Sequence, residues 1–300
     1  MERYVSIDIG GTAIKYGIID ENGKILERRE KPTEAFMGGL SILKKTVDIV
    51  ENFQKNFEIN GICISTAGMV DVKKGSIFYS GPQIPDYAGT QFKKTMEERF
   101  GIPCEVENDV NCAGLAESVS GAAKDSCITL CLTIGTGIGG CIVINGEVFR
   151  GYSGSACEVG YMHMLDSDFQ TLGAASVLTK KVAAKKKEAK SSWNGYRIFE
   201  EAKKGDRICC EAIDEMVEVL GKGIANICYV INPQMVVLGG GIMAQKEYLY
   251  PRILCAMERY LVSSIAQKTT LRMAEHKNDA GMLGAFYHFR NCQKEREMVK

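Results

Sequence analysis

Residues 4–26, YVSIDIGGTAIKYGIIDENGKIL, decide how the chain begins to fold. An apolar strand leads into a Gly-Gly-Thr turn at residues 10–12, and a second apolar strand leads into an Asn-Gly turn at residues 22–23 and a third strand. Asn-Gly between two β-type segments is typical of a tight hairpin. The sequence therefore predicts that the chain opens with a β-meander.

The same order of features recurs in residues 128–149, ITLCLTIGTGIGGCIVINGEVF. Gly10 and Gly135 are 125 residues apart, and Asn22 and Asn145, which begin the two Asn-Gly turns, are 123 residues apart. A duplicated meander is the simplest explanation of these offsets. We therefore expect two similar lobes, residues 1–118 and residues 119–280.

Helical and strand patterns alternate after each meander, which predicts an α/β fold. In the first lobe we expect helices at 40–57 and 90–100 and strands at 61–65 and 104–106. In the second lobe we expect a helix at 206–231, ended by Asn-Pro, and a strand at 235–238. A closing helix at 281–300 is expected to pack back on the first lobe.

Composition excludes several classes of protein. The 300 residues are 45% hydrophobic, and 37 Lys and Arg balance 37 Asp and Glu, so nothing attracts a nucleic acid. No signal-peptide h-region follows Met1 and no apolar run reaches the length of a membrane span, which predicts a cytoplasmic protein without a membrane partner.

The 12 Cys residues show no C-x-x-C spacing and are interpreted as reduced core residues. The Lys-rich stretch 180–190 is interpreted as a solvated helix face.

Two Gly-rich turns indicate phosphate binding. Asp8 ends a strand before Gly10, Gly11, Thr12 and Lys15, and bare backbone N–H groups in such a turn can face an anion. A turn without a ligand remains the alternative for either motif taken alone.

The second turn contains G-x-G-x-x-G in residues 135–140, but residues 141–144 are β-forming and do not open the helix that a dinucleotide fold requires. A Walker-type G-x-x-x-x-G-K-[ST] string is also absent from the sequence. Two Gly-rich hairpins therefore remain as the predicted nucleotide clamp.

Asp109 is the candidate catalytic base. It follows a strand and precedes a helix in residues 105–111, EVENDVN, where the positive end of a helix keeps a carboxylate ionised. Phosphoryl transfer needs a group that orients the acceptor hydroxyl and takes its proton late. The alternative, an N-cap for a helix beginning at Val110, stands equally well on the sequence.

Taken together, these motifs resemble the ROK family of bacterial sugar kinases and sugar-responsive repressors over nearly the whole chain. Residues 8–15 resemble the family's first phosphate motif, residues 133–137 its second, and residues 237–241 its adenosine motif. The resemblance implies a two-lobed, actin-like (ribonuclease H-like) ATPase fold that takes ATP, Mg²⁺ and a small-molecule sugar, often as a homodimer. It implies the following nucleotide-binding residues: Asp8, Gly10, Gly11, Thr12, Lys15, Thr133, Gly135, Thr136, Gly137, Gly239, Gly240 and Gly241.

The resemblance also assigns roles at the acceptor site. It implies that Asp109 is the base, that Asp8 holds Mg²⁺ through water, and that the sugar is held by Gly68, Asn108, Asp109 and Glu158. Tyr161 is added as a candidate sugar contact because it stands where many members have the His of E-x-G-H. The acceptor hydroxyl is expected to be O6 of a hexose or hexose derivative.

The chain departs from the family at its zinc cluster. Many members follow E-x-G-H with a C-x-C-G-x-x-G-C-x-E cluster, whereas no Cys occurs here between Cys157 and Cys209, so we expect no zinc site. Leu172 lies near the position of the cluster's last Glu. Members without the cluster include kinases of the β-glucoside and N-acetylmannosamine types, so the substrate is expected to be one of these or glucose.

Two other functions compete with the kinase interpretation. A repressor of this family would need a helix-turn-helix domain before the first phosphate motif, and seven residues precede Asp8 in this sequence. The remaining alternative is a sugar-sensing protein of the same family that has no catalytic activity.

Overall fold

Strands and helices alternate along the chain in a computed structural model that describes residues 1–164 and 167–298. The strands are β1 (Arg3–Ile9), β2 (Ala13–Asp20), β3 (Ile25–Pro32), β4 (Gly61–Thr66), β5 (Met69–Asp71), β6 (Ser76–Tyr79), β7 (Cys104–Asn108), β8 (Ile128–Ile134), β9 (Ile138–Ile144), β10 (Glu147–Val148), β11 (His163–Met164), β12 (Ser167–Asp168), β13 (Met235–Gly239) and β14 (Thr270–Met273). The helices are α1 (Gly38–Gln54), α2 (Phe92–Phe100), α3 (Asp109–Ser120), α4 (Phe169–Gly173), α5 (Ala175–Lys186), α6 (Gly195–Lys203), α7 (Arg207–Ile231), α8 (Lys246–Tyr260), α9 (Ser263–Ala266) and α10 (Ala280–Met298). The predicted α/β class is confirmed.

The chain divides into two compact units. Unit 1 contains residues 1–121, 146–156 and 278–300, and unit 2 contains residues 122–145 and 157–277. The sequence placed segment 146–156 in the second lobe, whereas the structure places it in unit 1. Within unit 1, Arg150 of this segment forms an ion pair with Glu107, whose side chain is 2% exposed.

The first sheet has the strand order β3-β2-β1-β4-β7. β1 is antiparallel to β2, as the meander predicts, and parallel to β4, which is in turn parallel to β7. Crossover connections through helices are what parallel neighbours require, and α1 and α2 supply them here. The carboxyl ends of three parallel strands therefore meet at one edge of the sheet.

The second sheet repeats this arrangement in unit 2. β8 is antiparallel to β9 and parallel to β13, which is parallel to β14. The 25-residue helix α7 buries one apolar face in the core of this unit, including Ile213, Leu220 and Ile224. The structure differs from the sequence prediction at β10, which has two residues instead of a full third strand.

Helix α10 packs against α3 and against strands β1, β4 and β7 of unit 1. It buries Met282, Ala285 and Phe286. Glycine at position 284 makes the approach to α3 possible, because a Cβ atom there would lie 1.8 Å from the Cys112 carbonyl oxygen. The close crossing of two helix backbones thus depends on one missing methyl group.

The cysteines are free thiols in the described residues. Cys63, Cys131 and Cys141 are buried in strands, as expected for core residues. Cys127 and Cys255 are exposed, so the core interpretation is wrong for these two.

Within residues 1–164 and 167–298, no helix is both long enough and apolar enough to cross a bilayer.

Gly284→Ala is predicted to destabilise unit 1. The added methyl group would push α10 away from the backbone of α3, and overpacking of this kind costs about 1–3 kcal/mol of unfolding free energy. Urea unfolding followed by circular dichroism measures the loss. Gly195→Ala in α6, where the methyl group meets nothing within 4 Å, is the control and should stay within about 0.5 kcal/mol of the parent. Equal stability of the two variants would contradict the packing argument.

Candidate active site

The parallel strands β1, β4 and β7 bring polar residues to one edge of the first sheet. Asp8 is the pairing partner of Ser65, and Ser65 is the partner of Glu107. One position further along, Thr66 is paired with Asn108, the last residue before α3. Crevices at the carboxyl ends of parallel strands are the usual ligand sites of α/β folds. The structure thus places Asp8 and the Asn108–Asp109 pair at the same edge.

The turn that follows β1 is stabilised by hydrogen bonds from Thr33, a residue outside the turn. Thr33, which is fully buried, donates its hydroxyl to the Gly10 carbonyl oxygen at 2.6 Å and its N–H to the Thr12 carbonyl oxygen at 3.0 Å. A Cβ atom on Gly11 would meet nothing within 4 Å, so this point of the turn is open. A fixed turn with open backbone suits the approach of a phosphate.

The Asp8 carboxylate is closely surrounded by Ser65 and by Gly281 of α10. Its Oδ1 accepts a hydrogen bond of 2.7 Å from the Ser65 hydroxyl. A Cβ atom on Gly281, in the first turn of α10, would lie 2.3 Å from the Asp8 carboxylate, so only glycine fits there. Burial raises the pKa of Asp8, and the Ser65 hydrogen bond and the Lys15 charge partly oppose that rise.

Lys15 pairs with Asp8 across the β1–β2 hairpin. Its Nζ donates to Asn278 Oδ1 at 3.1 Å. The predicted phosphate ligand Lys15 is therefore held beside Asp8 by the segment that precedes α10.

Asn108, and not Asp109, is the N-cap of α3. Its Oδ1 accepts from the N–H groups of Val110 at 2.9 Å and Asn111 at 3.1 Å. The cap alternative for Asp109 is therefore wrong, and the helix begins at Asp109 instead of Val110. Asn108 Nδ2 also donates to the Gly68 carbonyl oxygen at 2.9 Å and to Asp109 Oδ1 at 3.0 Å. One amide side chain thus fixes Gly68 and Asp109 relative to each other.

Asp109 has the electrostatics of a general base. Burial and then the negative charge of Asp8 raise its pKa to about 6, while the N–H of Val110 and the Asn108 side chain oppose the rise. At neutral pH the group is a carboxylate, and it is a stronger base than an ordinary Asp. Burial, and to a smaller extent the Asp109 charge, raises the pKa of the Tyr87 phenol, which hydrogen-bonds with Thr66.

Gly68 adopts a backbone conformation reserved for glycine, with φ of +92°. A Cβ atom there would lie 2.9 Å from the Tyr79 carbonyl oxygen. The residue therefore lets the β4–β5 connection lie close to the end of β6, beside the Asn108 side chain that donates to it.

In unit 2 two glycine-rich segments lie side by side. Thr133 is paired with Gly239 across β8 and β13. Gly240 has φ of +98°, and a Cβ atom there would lie 2.2 Å from the Ile134 carbonyl oxygen. Residues 135–137 and 239–241 thus occupy neighbouring strand ends, which brings the predicted second phosphate motif and adenosine motif together.

The start of α5 supports the 135–137 turn. The Ser176 hydroxyl donates to the Thr136 carbonyl oxygen at 2.6 Å, and the Ser176 N–H donates to the Gly135 carbonyl oxygen at 3.3 Å. A Cβ atom on Gly137 would lie 2.6 Å from Gln170 Oε1, so α4 covers its other side. Residues 169–176, which replace the zinc cluster in sequence, therefore support this turn.

Glu158 and Tyr161 lie on a loop of unit 2 that ends in the 3₁₀ turn Val159–Tyr161. Partial burial raises the pKa of Glu158, and Tyr161 is 53% exposed. Leu172 instead packs against the core of unit 2, so the hypothesis of an altered sugar contact depends on Tyr161.

Within the described residues, Glu105, His288 and Cys292 form the one group of three metal-ligand side chains with donor atoms within 4.8 Å. They already have partners. Glu105 binds Lys93 at 2.7 Å and Arg296 at 2.6 Å, and the His288 Nδ1 atom accepts from Arg150 at 3.2 Å. Burial raises the pKa of the Cys292 thiol to about 12. These contacts describe a hydrogen-bonded network, so we assign no metal to it.

Sequence patterns gave no sign of Thr33, Gly281 or the bracing role of Ser176. Each acts on a residue that is distant in the chain, and no local motif marks such a contact.

Comparison with known proteins gives the family to which the chain is similar. A family model described as ROK family matches residues 4–291. The β-glucoside kinase of Listeria monocytogenes is 32% identical over 303 residues, which cover 98% of this chain and 100% of that protein.

Two solved structures are similar over nearly the whole chain. The Lmo2764 protein of Listeria monocytogenes, described as a candidate N-acetylmannosamine kinase, has a TM-score of 0.87 at 30% identity and covers 97% of this chain and 99% of its own. A ROK family glucokinase from Streptomyces griseus, solved with glucose and AMPPNP, has a TM-score of 0.82 at 25% identity and covers 94% and 97%.

Asp8→Asn is predicted to lower the pKa of Asp109 from about 6, because the negative charge of Asp8 is one cause of the raised value. Carbon-13 NMR titration of labelled Asp carboxyl groups measures the change. Asp71→Asn, at a carboxylate whose pKa is lowered by bonds to Lys74, is the matched control and should leave the Asp109 titration in place. An Asp109 pKa that is the same in both variants would refute the coupling.

Proposed function

The chain belongs to the ROK family, and we propose that it transfers the γ-phosphoryl group of ATP to a hydroxyl of a hexose or hexose derivative. The observation that carries this proposal is the geometry of Asp109, a carboxylate with a pKa of about 6 held at a helix N-terminus by Asn108. The β-glucoside kinase and the glucokinase with a bound ATP analogue, to which the chain is similar, support the reaction class.

Asp109 is the proposed general base. The acceptor hydroxyl donates its hydrogen bond to the Asp109 carboxylate, which orients the oxygen toward the γ-phosphorus and takes the proton as the new P–O bond forms. A loose transition state leaves most of the proton transfer until late, so a base with a pKa near 6 suffices. Gly68, Asn108, Glu158 and Tyr161 are the other proposed sugar-binding residues.

Asn108 contributes to the proposed reaction mainly by positioning Gly68 and Asp109. Both ends of its amide already have protein partners, so a direct bond to the sugar would have to replace one of them. We place the acceptor at O6 on the family resemblance, and 31-phosphorus NMR of the product identifies the position.

Nucleotide binding is proposed for the Gly-rich segments of each unit: residues 10–12 with Lys15 in unit 1, and residues 133–137 and 239–241 in unit 2. The oxygen donors at the end of β1 fit Mg²⁺, which prefers carboxylates and water. Asp8 would hold the ion through water, and the ion would supply charge neutralisation to the phosphate oxygens.

The homodimer implied by the family resemblance remains a proposal. Val230, 85% exposed, and Val262, 53% exposed, lie at the ends of helices in unit 2. Tyr229 joins them, because its hydroxyl accepts from the Val262 N–H at 2.9 Å. A second copy would bury this apolar surface, and light scattering of the purified protein measures the assembly.

Sugar-dependent ADP release is predicted to rise with pH through about 6 and to level off above it, because protonated Asp109 cannot accept the hydroxyl proton. Asp109→Asn should lower kcat by about 100-fold or more and leave the KM for ATP almost unchanged. The Asp71→Asn variant is the control and should keep the parental rate.

A chain that binds sugar by thermal shift, with no sugar-dependent turnover in the wild type, would be a sensor and would contradict the proposed kinase. Full activity of Asp109→Asn would remove Asp109 as the base.

Substituted sugars are the proposed substrates, because Tyr161 replaces a histidine and offers an exposed aromatic face. We expect cellobiose, aryl β-glucosides or N-acetylmannosamine to be used better than glucose. Tyr161→Ala should lower kcat/KM for the preferred substituted sugar about 5-fold, which corresponds to a stacking loss of ~1 kcal/mol, and change glucose turnover much less.

Tyr196→Ala, at a tyrosine on α6 that is 72% exposed, is the matched control. Equal turnover of glucose and mannose, with no use of substituted sugars, would contradict this choice of substrate.

A further inference from the structure

We propose that the buried carboxylate of Glu107 and its ion-pair partner Arg150 form a positioning pair that fixes the Asn108–Asp109 turn for catalysis. The inference rests on the proposed role of Asp109 as base. It concerns two residues that do not touch the acceptor hydroxyl and act through the turn that carries the base.

Glu107 is at the centre of the pair. Its side chain is 2% exposed, and both carboxylate oxygens have partners. Oε2 accepts from Arg150 Nε at 2.8 Å, and Oε1 accepts from the Asn108 backbone N–H at 2.8 Å and from Asn111 Nδ2 at 3.1 Å. The same carboxylate therefore binds the residue before Asp109 and a residue in the first turn of α3.

Arg150 lies in the segment 146–156, and all three nitrogens of its guanidinium group form hydrogen bonds. Nε and NH2 bind Glu107 Oε2, NH1 donates to the Val148 carbonyl oxygen at 3.3 Å, and NH2 donates to His288 Nδ1 at 3.2 Å. Three nitrogens thus join β7, the end of β10 and α10. A lysine could keep the charge but not these directions.

His288 completes the support from α10. It is 2% exposed, and burial lowers its pKa to about 4, with the charge of Arg150 lowering it further and the charge of Glu107 opposing. The ring is therefore neutral at neutral pH, and its Nδ1 lone pair accepts from the permanently charged guanidinium group. Positive charge beside Glu107 comes from Arg150.

The consequence of removing Arg150 follows from burial. The Glu107 carboxylate, 2% exposed in the parent protein, would lose the cation that binds its Oε2 atom. It would then keep a poorly paired negative charge or take up a proton, and either change alters the oxygens that hold Asn108 and Asn111. Misplacing a base by about 1 Å costs up to 100-fold in rate. Because ATP binding is proposed to use other residues, the loss should appear in kcat and not in the KM for ATP.

A cavity of about 470 Å³ borders Arg150, His288 and Lys93, so a small ion can reach the place of a deleted guanidinium group. Arg150→Ala is predicted to lower kcat about 10- to 100-fold, with the KM for ATP changed less than about 3-fold. Guanidinium at 10–50 mM should restore at least a third of the lost activity, and urea at the same concentration should restore none. Arg150→Lys should fall between the parent and Arg150→Ala.

Amide hydrogen exchange gives a readout that does not depend on turnover. In Arg150→Ala the N–H groups of Val110 and Asn111, which bond to Asn108, should exchange at least about 10-fold faster and recover with guanidinium. Arg99→Ala removes an exposed ion pair with Glu51 and is the matched control. Its kcat, its KM for ATP and the exchange rates of the Val110 and Asn111 amides should equal those of the parent protein.

The outcomes separate the two proposals. A wild type without sugar turnover would overturn the kinase proposal, while unchanged exchange in folded Arg150→Ala would overturn the positioning pair. If Arg150→Ala fails to fold, kcat is measured instead in the double variant Glu107→Gln/Arg150→Met, which lacks both charges. Low kcat in that folded variant supports the pair, and parental kcat contradicts it.

Discussion

The parallel pairing of β1, β4 and β7 is the constraint on which the rest of unit 1 depends. Its register sets Asp8 beside Ser65 and Ser65 beside Glu107, so three polar residues lie in one row at a buried sheet edge. Each carboxylate there needs a specific partner, because an unpaired buried charge is costly. Ser65 donates a hydrogen bond to Asp8, and Arg150 forms an ion pair with Glu107. The segment 146–156 and the helix α10 are held in place by these same requirements.

Function and stability oppose each other at Asp109. A carboxyl whose pKa is raised in the folded state contributes its stability below the pKa of the unfolded chain, near 3.9, and loses it as pH rises through about 6. The ionised base that the proposed reaction needs is therefore the less stable form of the folded protein. Packing elsewhere offsets this cost, and the close crossing of α10 and α3 at the glycine at position 284 is one example.

The local patterns of the sequence were sufficient for much of the fold. Residues 4–26 and 128–149 predicted both meanders, and the helix at 206–231 was placed within one residue of α7. Residues 105–111 marked Asp109, although local sequence could not decide between base and cap. The structure decides the cap, because a single Asn108 oxygen meets two N–H groups.

Long-range contacts were beyond the reach of those patterns. The ion pair between Arg150 and Glu107 joins residues 43 positions apart, and Gly281 meets Asp8 from the far end of the chain. Glycine in a helix is ordinarily only a weak helix former, so its use as a site of close approach becomes visible when the facing backbone is known. The assignment of residues 146–156 to unit 1 was missed for the same reason.

We propose that the protein transfers a phosphoryl group to a sugar at this edge of the sheet. The most direct measurement is 31-phosphorus NMR of the purified protein with Mg-ATP and each of cellobiose, N-acetylmannosamine and glucose, following ADP and sugar phosphate together. We expect one equivalent of a sugar phosphomonoester for every ADP formed with at least one of these sugars. ADP accompanied by inorganic phosphate alone, or no ADP with any sugar, would contradict the claim.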